Sequence, residues 1–181
     1  EAIAIIGLAG SFPKSDTVEA FWHWLDQDAS LIEPIPASRF DREAFYDPSG
    51  KTAGSSRSKW GGFIPDIAGF DAAFFQVPPA GADTMDPRQR LLLMSAYQTL
   101  ADAGYAPTAL RQSKTGVFIA VQDNEYLSLL QEAGIDNGEW YAQACMLANR
   151  ASLFFAFPGS RDVVGAPFPG AALPSPPAVT P

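Results

Sequence analysis

The sequence predicts an α/β domain, and three observations carry that prediction. Two short apolar runs rich in β-branched residues, Ala2–Ile6 and Thr115–Val121, lack polar alternation, the pattern of strands covered on both faces. A stretch from Pro87 to Ala103 repeats apolar residues at helical spacing between clear start and stop signals. The chain has 181 residues, 47% of them hydrophobic and 18% charged, which suits a folded domain with a real core and excludes a wholly disordered chain.

Taken in order, Ala2–Ile6 reads as a strand that Gly7 and Gly10 break. Asp16 and Glu19 form a D-x-x-E capping pair, starting a helix with Val18, Phe21, Trp22 and Leu25 on one face. From Ala29 to Asp71 the chain is irregular and rich in aromatics (Phe40, Phe45, Tyr46, Trp60, Phe63, Phe70), which predicts loops packed down on a core. Asp86 as N-cap, Pro87 at N1 and Gln89 as the far side of a capping box open the next helix. Its inward face is expected at Leu92, Ala96, Leu100 and Ala103, with Leu93 and Thr99 beside it and Gly104 as the terminating residue. Thr115–Val121 is the second strand, in the same sheet as the first. Asn124–Glu132 reads as a short helix and Ala142–Phe155 as an apolar one, with Val163-Val164 able to add a few residues of strand. Beyond Pro167 the density of prolines excludes a helix interior or a central strand, so an extended tail is expected.

The charge balance is 12 basic against 20 acidic residues, a net −8, and the basic residues do not cluster enough to suggest a nucleic-acid partner. Apolar runs are too short to span a bilayer, and no basic region precedes the first one, so no membrane span or signal peptide is read and a cytoplasmic location is expected. One cysteine, Cys145, and one histidine, His23, leave no intrachain disulfide and no Cys/His zinc set.

Several candidate sites can be weighed on residue chemistry. Gly7-x-x-Gly10 between a strand and a helix invites a phosphate loop, but neither nucleotide fingerprint is complete, and a tight turn explains it better. His23 sits off the apolar stripe of its helix, as a partly exposed residue. Cys145 lies in an apolar helical stretch with no neighbouring base, the setting of an inert thiol. Asp83, Asp86, Arg88 and Arg90 could be imagined as an acid/base group, yet Asp86 serves as a cap and the arginines as a solvated or ion-paired first turn. Asp123, Glu125, Asp136 and Glu139 are scattered and suggest no metal cage. The residues therefore yield an α/β domain without a complete catalytic constellation, and a metal site or resident cofactor is not expected.

Ordered motifs add a resemblance. Ala2–Leu25, Phe45-Tyr46-Asp47-Pro48, Trp60–Ile64, Phe70–Phe75, Met85–Leu92, Asp102–Tyr105, Thr115–Ile119 and Ala148-Asn149-Arg150 together closely resemble the opening of modular polyketide synthase ketosynthase domains. The resemblance runs from Ala2 to about Val164, which gives a partial beta-ketoacyl synthase N-terminal region over 1–164 and a divergent Pro-rich tail over 165–181. It implies the N-terminal portion of a thiolase-like fold, an incomplete layered α/β/α/β/α architecture. The implied reaction is acyl transfer to a cysteine, then decarboxylative carbon–carbon condensation on an acyl carrier protein. The pantetheine arm belongs to that carrier, so no cofactor of the chain's own is implied. Partners implied are the acyl carrier protein, neighbouring synthase domains and a possible homodimer.

Matched without gaps, the family's nucleophilic cysteine falls on Phe168, and its two late histidines have no counterpart. Pro78–Ala82 replaces the usual Ser-Pro-Arg-Glu-Ala, and Ser160-Arg161 replaces Pro-Ser. The resemblance thus implies an acyltransferase ancestry with no catalytic residue in this chain, expected to be inactive alone. The alternative is a non-catalytic scaffold or carrier-protein-binding module of ketosynthase ancestry.

Overall fold

The structure, a computed structural model, describes residues 2–121, 126–135, 145–159 and 161–165, with only the backbone path for residue 145 and for 161–165. It divides into two compact units, one of Ala9–Asp66 and one of Glu1–Leu8 with Ile67–Pro181.

In the unit Ala9–Asp66, helix α1 covers Val18–Asp26, and its N-cap is Thr17, whose hydroxyl accepts from the Ala20 N–H at 3.2 Å. The expected Asp16 cap is one residue early, because Thr17 already supplies the oxygen that the first turn needs. The expected stripe is also only partly covered: Phe21 stacks on Phe12, but Trp22 and Leu25 are exposed. Two-residue strands β1 (Glu33–Pro34) and β2 (Trp60–Gly61) pair antiparallel, and α2 (Arg42–Phe45) is a single turn between them. Phe40, Phe45 and Trp60 are about half exposed, so these aromatics are not all packed down as expected. Hydrogen bonds organise this unit instead, and Ser15 is its one fully buried side chain among the described residues.

The second unit holds the hydrophobic core. Helix α3 spans Pro79–Thr84, and α4 spans Pro87–Asp102 with Asp86 as N-cap and Pro87 in the first turn, as the sequence predicts. A 3₁₀ turn (Pro107–Leu110) leads to strand β3 (Val117–Val121), followed by α5 (Tyr126–Glu132), α6 (Cys145–Phe155) and β4 (Arg161–Gly165). Strands β3 and β4 pair in parallel from Val117↔Arg161 to Val121↔Gly165, so the chain between them is a crossover, and α6 within it packs on both strands and on α4. Phe75, Val77, Met85, Leu93, Ala151, Phe155 and Phe157 form the buried cluster. A fully buried side chain of this size contributes about 1.5–3 kcal/mol.

Three expectations change here. Ala2–Ile6 is not a strand, and Ile3 and Ile5 are 89% and 86% exposed. A central strand requires ladder partners, and among the described residues β3 pairs only with β4. Strand β3 itself is covered on one face alone, alternating half-buried Val117, Ile119 and Val121 with exposed Phe118 and Ala120. The buried face of α4 centres on Gln89 and Leu93, flanked by Ala96, Tyr97 and Leu100, one position round from the Leu92 stripe. The expected tail from Pro167, the residues 122–125 and the segment 136–144 lie outside the described residues.

Candidate functional site

The richest polar constellation gathers at the N-terminus of α4, where backbone N–H groups lack helical partners. Asp86, 1% exposed, accepts from the Arg88 N–H at 2.8 Å and pairs with the Arg88 guanidinium at 2.7 Å. One carboxylate thereby caps the helix and neutralises a cation, which leaves it poorly placed to act as a base. Gln89 is buried and accepts from Arg150 Nε at 3.1 Å, tying α4 to α6. Sequence periodicity does not announce that contact, although an arginine inside the apolar stretch Ala142–Phe155 signals a partly covered cation in need of an acceptor.

Arg90 departs from the expected solvated or ion-paired first turn, which Arg88 keeps through its pair with Asp86. Its guanidinium donates to the carbonyls of Ala68 at 3.1 Å, Ala82 at 2.8 Å and Met85 at 3.0 Å, while Nε is buried and meets no partner among the described residues. It clamps three chain segments and borders a cavity of about 520 Å³ with Asp83, Phe70 and Val77. Tyr126 donates its hydroxyl to the Met85 carbonyl at 3.3 Å. Burial pushes its phenol above the ordinary value, the Arg90 guanidinium pulls it back, and the Asp86 carboxylate pushes it up. These groups fasten α3, α4, α5 and α6 together.

The other sequence candidates do not join this cluster. His23 is exposed on α1, its ring 3.1 Å from Gln27 Nε2. Asp83 is exposed on α3. Cys145 begins α6, and nothing further of its side chain is described. Gly7 packs so closely on the last turn of α4 that a Cβ would overlap the Thr99 carbonyl. The neighbouring Leu8 N–H donates to the Asp102 carboxylate at 2.8 Å, so a carboxylate already holds the donor that a phosphate would use. Helix α1 also starts only at Val18, so it does not open directly from the Gly10 turn as a phosphate loop requires. Asp123, Glu125, Asp136, Glu139 and Phe168 lie outside the described residues. Among the described residues, no group of three or more His, Cys, Asp or Glu side chains could hold a metal.

Comparison with known proteins matches residues 1–166 to the family described as beta-ketoacyl synthase, N-terminal domain. The polyketide synthase ThaG of Burkholderia thailandensis is 42% identical over 153 residues, 84% of this chain and 3% of that protein. The polyketide synthase PksM of Bacillus subtilis is 40% identical over 158 residues, 87% of this chain and 3% of that one. Among solved structures, an oxazolomycin ketosynthase domain of Streptomyces albus superposes with a TM-score of 0.84 at 33% identity, covering 91% of this chain and 29% of that chain. The ketosynthase from module 6 of the bacillaene synthase of Bacillus subtilis superposes with a TM-score of 0.78 at 32% identity, covering 91% and 26%. The chain therefore spans under a tenth of these synthases and under a third of these ketosynthase structures.

Proposed function

Because the chain belongs to the beta-ketoacyl synthase N-terminal domain family and has the thiolase-like fold of polyketide ketosynthases, we propose that it supplies scaffold rather than chemistry to such a synthase. In the family reaction, a cysteine thiolate attacks an acyl thioester and expels the pantetheine thiol. A malonyl-type unit on an acyl carrier protein then loses carbon dioxide, and the resulting carbanion attacks the cysteine-bound acyl carbon. That sequence needs a reactive thiolate and groups that stabilise developing negative charge.

The observation that carries the proposal is Phe168, the residue at the position that the gapless match gives to the family's nucleophilic cysteine. His23, the one histidine of the sequence, lies exposed on α1 beside Gln27 and away from the polar cluster of α4 in sequence. The polar cluster around Asp86, Gln89, Arg90 and Arg150 then has a structural task, holding α4 against α3 and α6.

The partners proposed are an acyl carrier protein and neighbouring synthase domains, with a homodimer as the assembly and the cytoplasm as the compartment. Among the described residues, no helix is long and apolar enough to cross a membrane. Incubation with an acyl-pantetheine thioester followed by intact-mass measurement tests the inactive state. No adduct is expected, and Phe168→Cys should acylate slowly at most. A stoichiometric acyl adduct on Cys145 of the unaltered chain would overturn the proposal.

A further inference from the structure

The chain carries a net charge of −8, yet from Ser49 to Ile64 it holds Lys51, Arg57 and Lys59 and no carboxylate. Lys51 and Arg57 are exposed, and neither side chain makes a hydrogen bond or ion pair among the described residues. The Lys59 ammonium lies 4.5 Å above the Tyr46 ring and meets no carboxylate among the described residues. Acids on the adjoining segment are already engaged. Glu43 pairs with Arg42 at 3.0 Å, and Asp41 caps α2 by accepting from the Glu43 N–H at 3.2 Å. Asp47 accepts from the Ser49 N–H at 2.8 Å, the Ser49 hydroxyl at 2.6 Å and the Thr52 N–H at 3.0 Å.

Tyr46, under the Lys59 ammonium, also lines a hollow of about 400 Å³, with Ile35, Phe40 and Phe45 completing its apolar wall and Arg42 and the loop residues Ser55, Ser56 and Ser58 among its polar lining. Phe40 and Phe45 meet edge to face at 5.8 Å and remain about half exposed. The loop wall is already ordered: the hydroxyls of Ser55, Ser56 and Ser58 donate to the carbonyls of Thr52, Ser58 and Trp60. A partner would therefore lose little free energy in ordering this face.

We propose that the face formed by α2 and the Ser49–Trp60 loop docks an acidic polypeptide segment, which seats one apolar anchor side chain in the hollow against Phe40 and Phe45. An apolar anchor in a desolvated pocket supplies binding energy, and carboxylates around it answer the uncompensated cations, which sets orientation and encounter rate. A small anion fits less well, because the hollow offers it an apolar wall of Ile35, Phe40 and Phe45.

The test uses the full chain and a fluorescein-labelled peptide of Asp and Glu with one central Phe, read by polarisation. Binding is expected to weaken as salt rises from about 0.05 to 0.5 M, since exposed ion pairs are screened. Combined Lys51→Glu and Arg57→Glu should weaken it by about tenfold or more, and the neutral pair Lys51→Gln and Arg57→Gln by less. Replacing the peptide Phe by Ala should cost a similar factor. Circular dichroism confirms that each variant folds. Absence of binding, binding that survives the Glu variant, or equal affinity for an oligonucleotide of matched charge would overturn the proposal. So would self-association of the chain that the Glu variant abolishes, which would make a second copy the occupant.

Discussion

Ser152, 1% exposed on α6, carries a hydroxyl that meets no partner among the described residues. A buried hydroxyl left unpaired forfeits its hydration without replacement, at about 1–3 kcal/mol. Ser152→Ala is therefore expected to raise stability by roughly 1 kcal/mol, read as a higher midpoint in urea. Unchanged or lower stability would show that the hydroxyl is satisfied. Asp47 is the opposite case, a partly exposed carboxylate that accepts three hydrogen bonds from its own loop. Hydrogen bonds from Ser49 and Thr52 hold its carboxyl well below the usual carboxylate range. In the unfolded chain it titrates near the ordinary value of about 4. Above that pH the loop's contribution is complete. As pH falls below it, the unfolded state takes up the proton first, and stability drops toward the depressed folded value. Asp47→Ala should show a shallower loss of stability between neutral pH and about pH 3 than the unaltered chain. Parallel acid slopes would contradict this.

Helix ends show how local chemistry becomes an element boundary, and how far the sequence discloses it. Gly104 follows α4 with φ +77°, its N–H bonded to Ala101 O and the Tyr105 N–H to Leu100 O. That is the six-to-one and five-to-two pattern of a left-handed helix stop, and a glycine after a periodic run signals it in the sequence. Helix α6 ends with the same geometry, Ala156 N–H on Leu153 O and Phe157 N–H on Ser152 O, but with alanine at φ +55°. Alanine itself gives no stop signal, because it belongs to helix interiors, but Pro158 just beyond marks the end that the sequence predicts at Phe155. Phe157, buried at 5% in the core cluster, holds the turn in place. Ala156→Gly should relieve the Cβ crowding of the left-handed backbone and stabilise by about 1 kcal/mol, measured by thermal melting. A destabilised variant would mean that the Ala156 methyl packs more than it strains. The same contrast separates what was legible at α4. Its caps stand in Asp86-Pro87 and Gly104, whereas its buried face is shifted by the Gln89–Arg150 contact, a pairing 61 residues apart that no local pattern announces.

At the scale of the whole chain, the two units differ in what holds them. The unit that includes Ile67–Pro181 has a connected aromatic core, in which Phe70, Phe74, Phe75, Phe154, Phe155 and Phe157 meet at ring separations of 4.9–5.9 Å. Ordered motifs made the family legible without any active site, since those motifs are the caps, turns and core contacts of this scaffold. What they could not disclose was which strands find partners. Ala2–Ile6 has the composition of an interior strand, but its backbone pairs with nothing described, and Ile3, Ile5, Ile6 and Leu8 are 60–89% exposed. The segment is uncharged from Ala2 to Pro13 and free of proline until Pro13, the composition that favours pairing between chains. Gly7 and Leu8 are fixed against the end of α4, so the apolar run is presented from an anchored base. The net charge of −8 opposes association at low salt, and screening removes much of that opposition. Sedimentation is therefore expected to show concentration-dependent self-association that grows with salt. Ile5→Lys should suppress it, because a cation in the middle of an extended run is costly to bury between chains. It should leave the melting temperature unchanged, since Ile5 is almost fully exposed. If the Ile5→Lys chain associates as strongly as the parent, or melts several degrees lower, Ala2–Ile6 is already paired within its own chain.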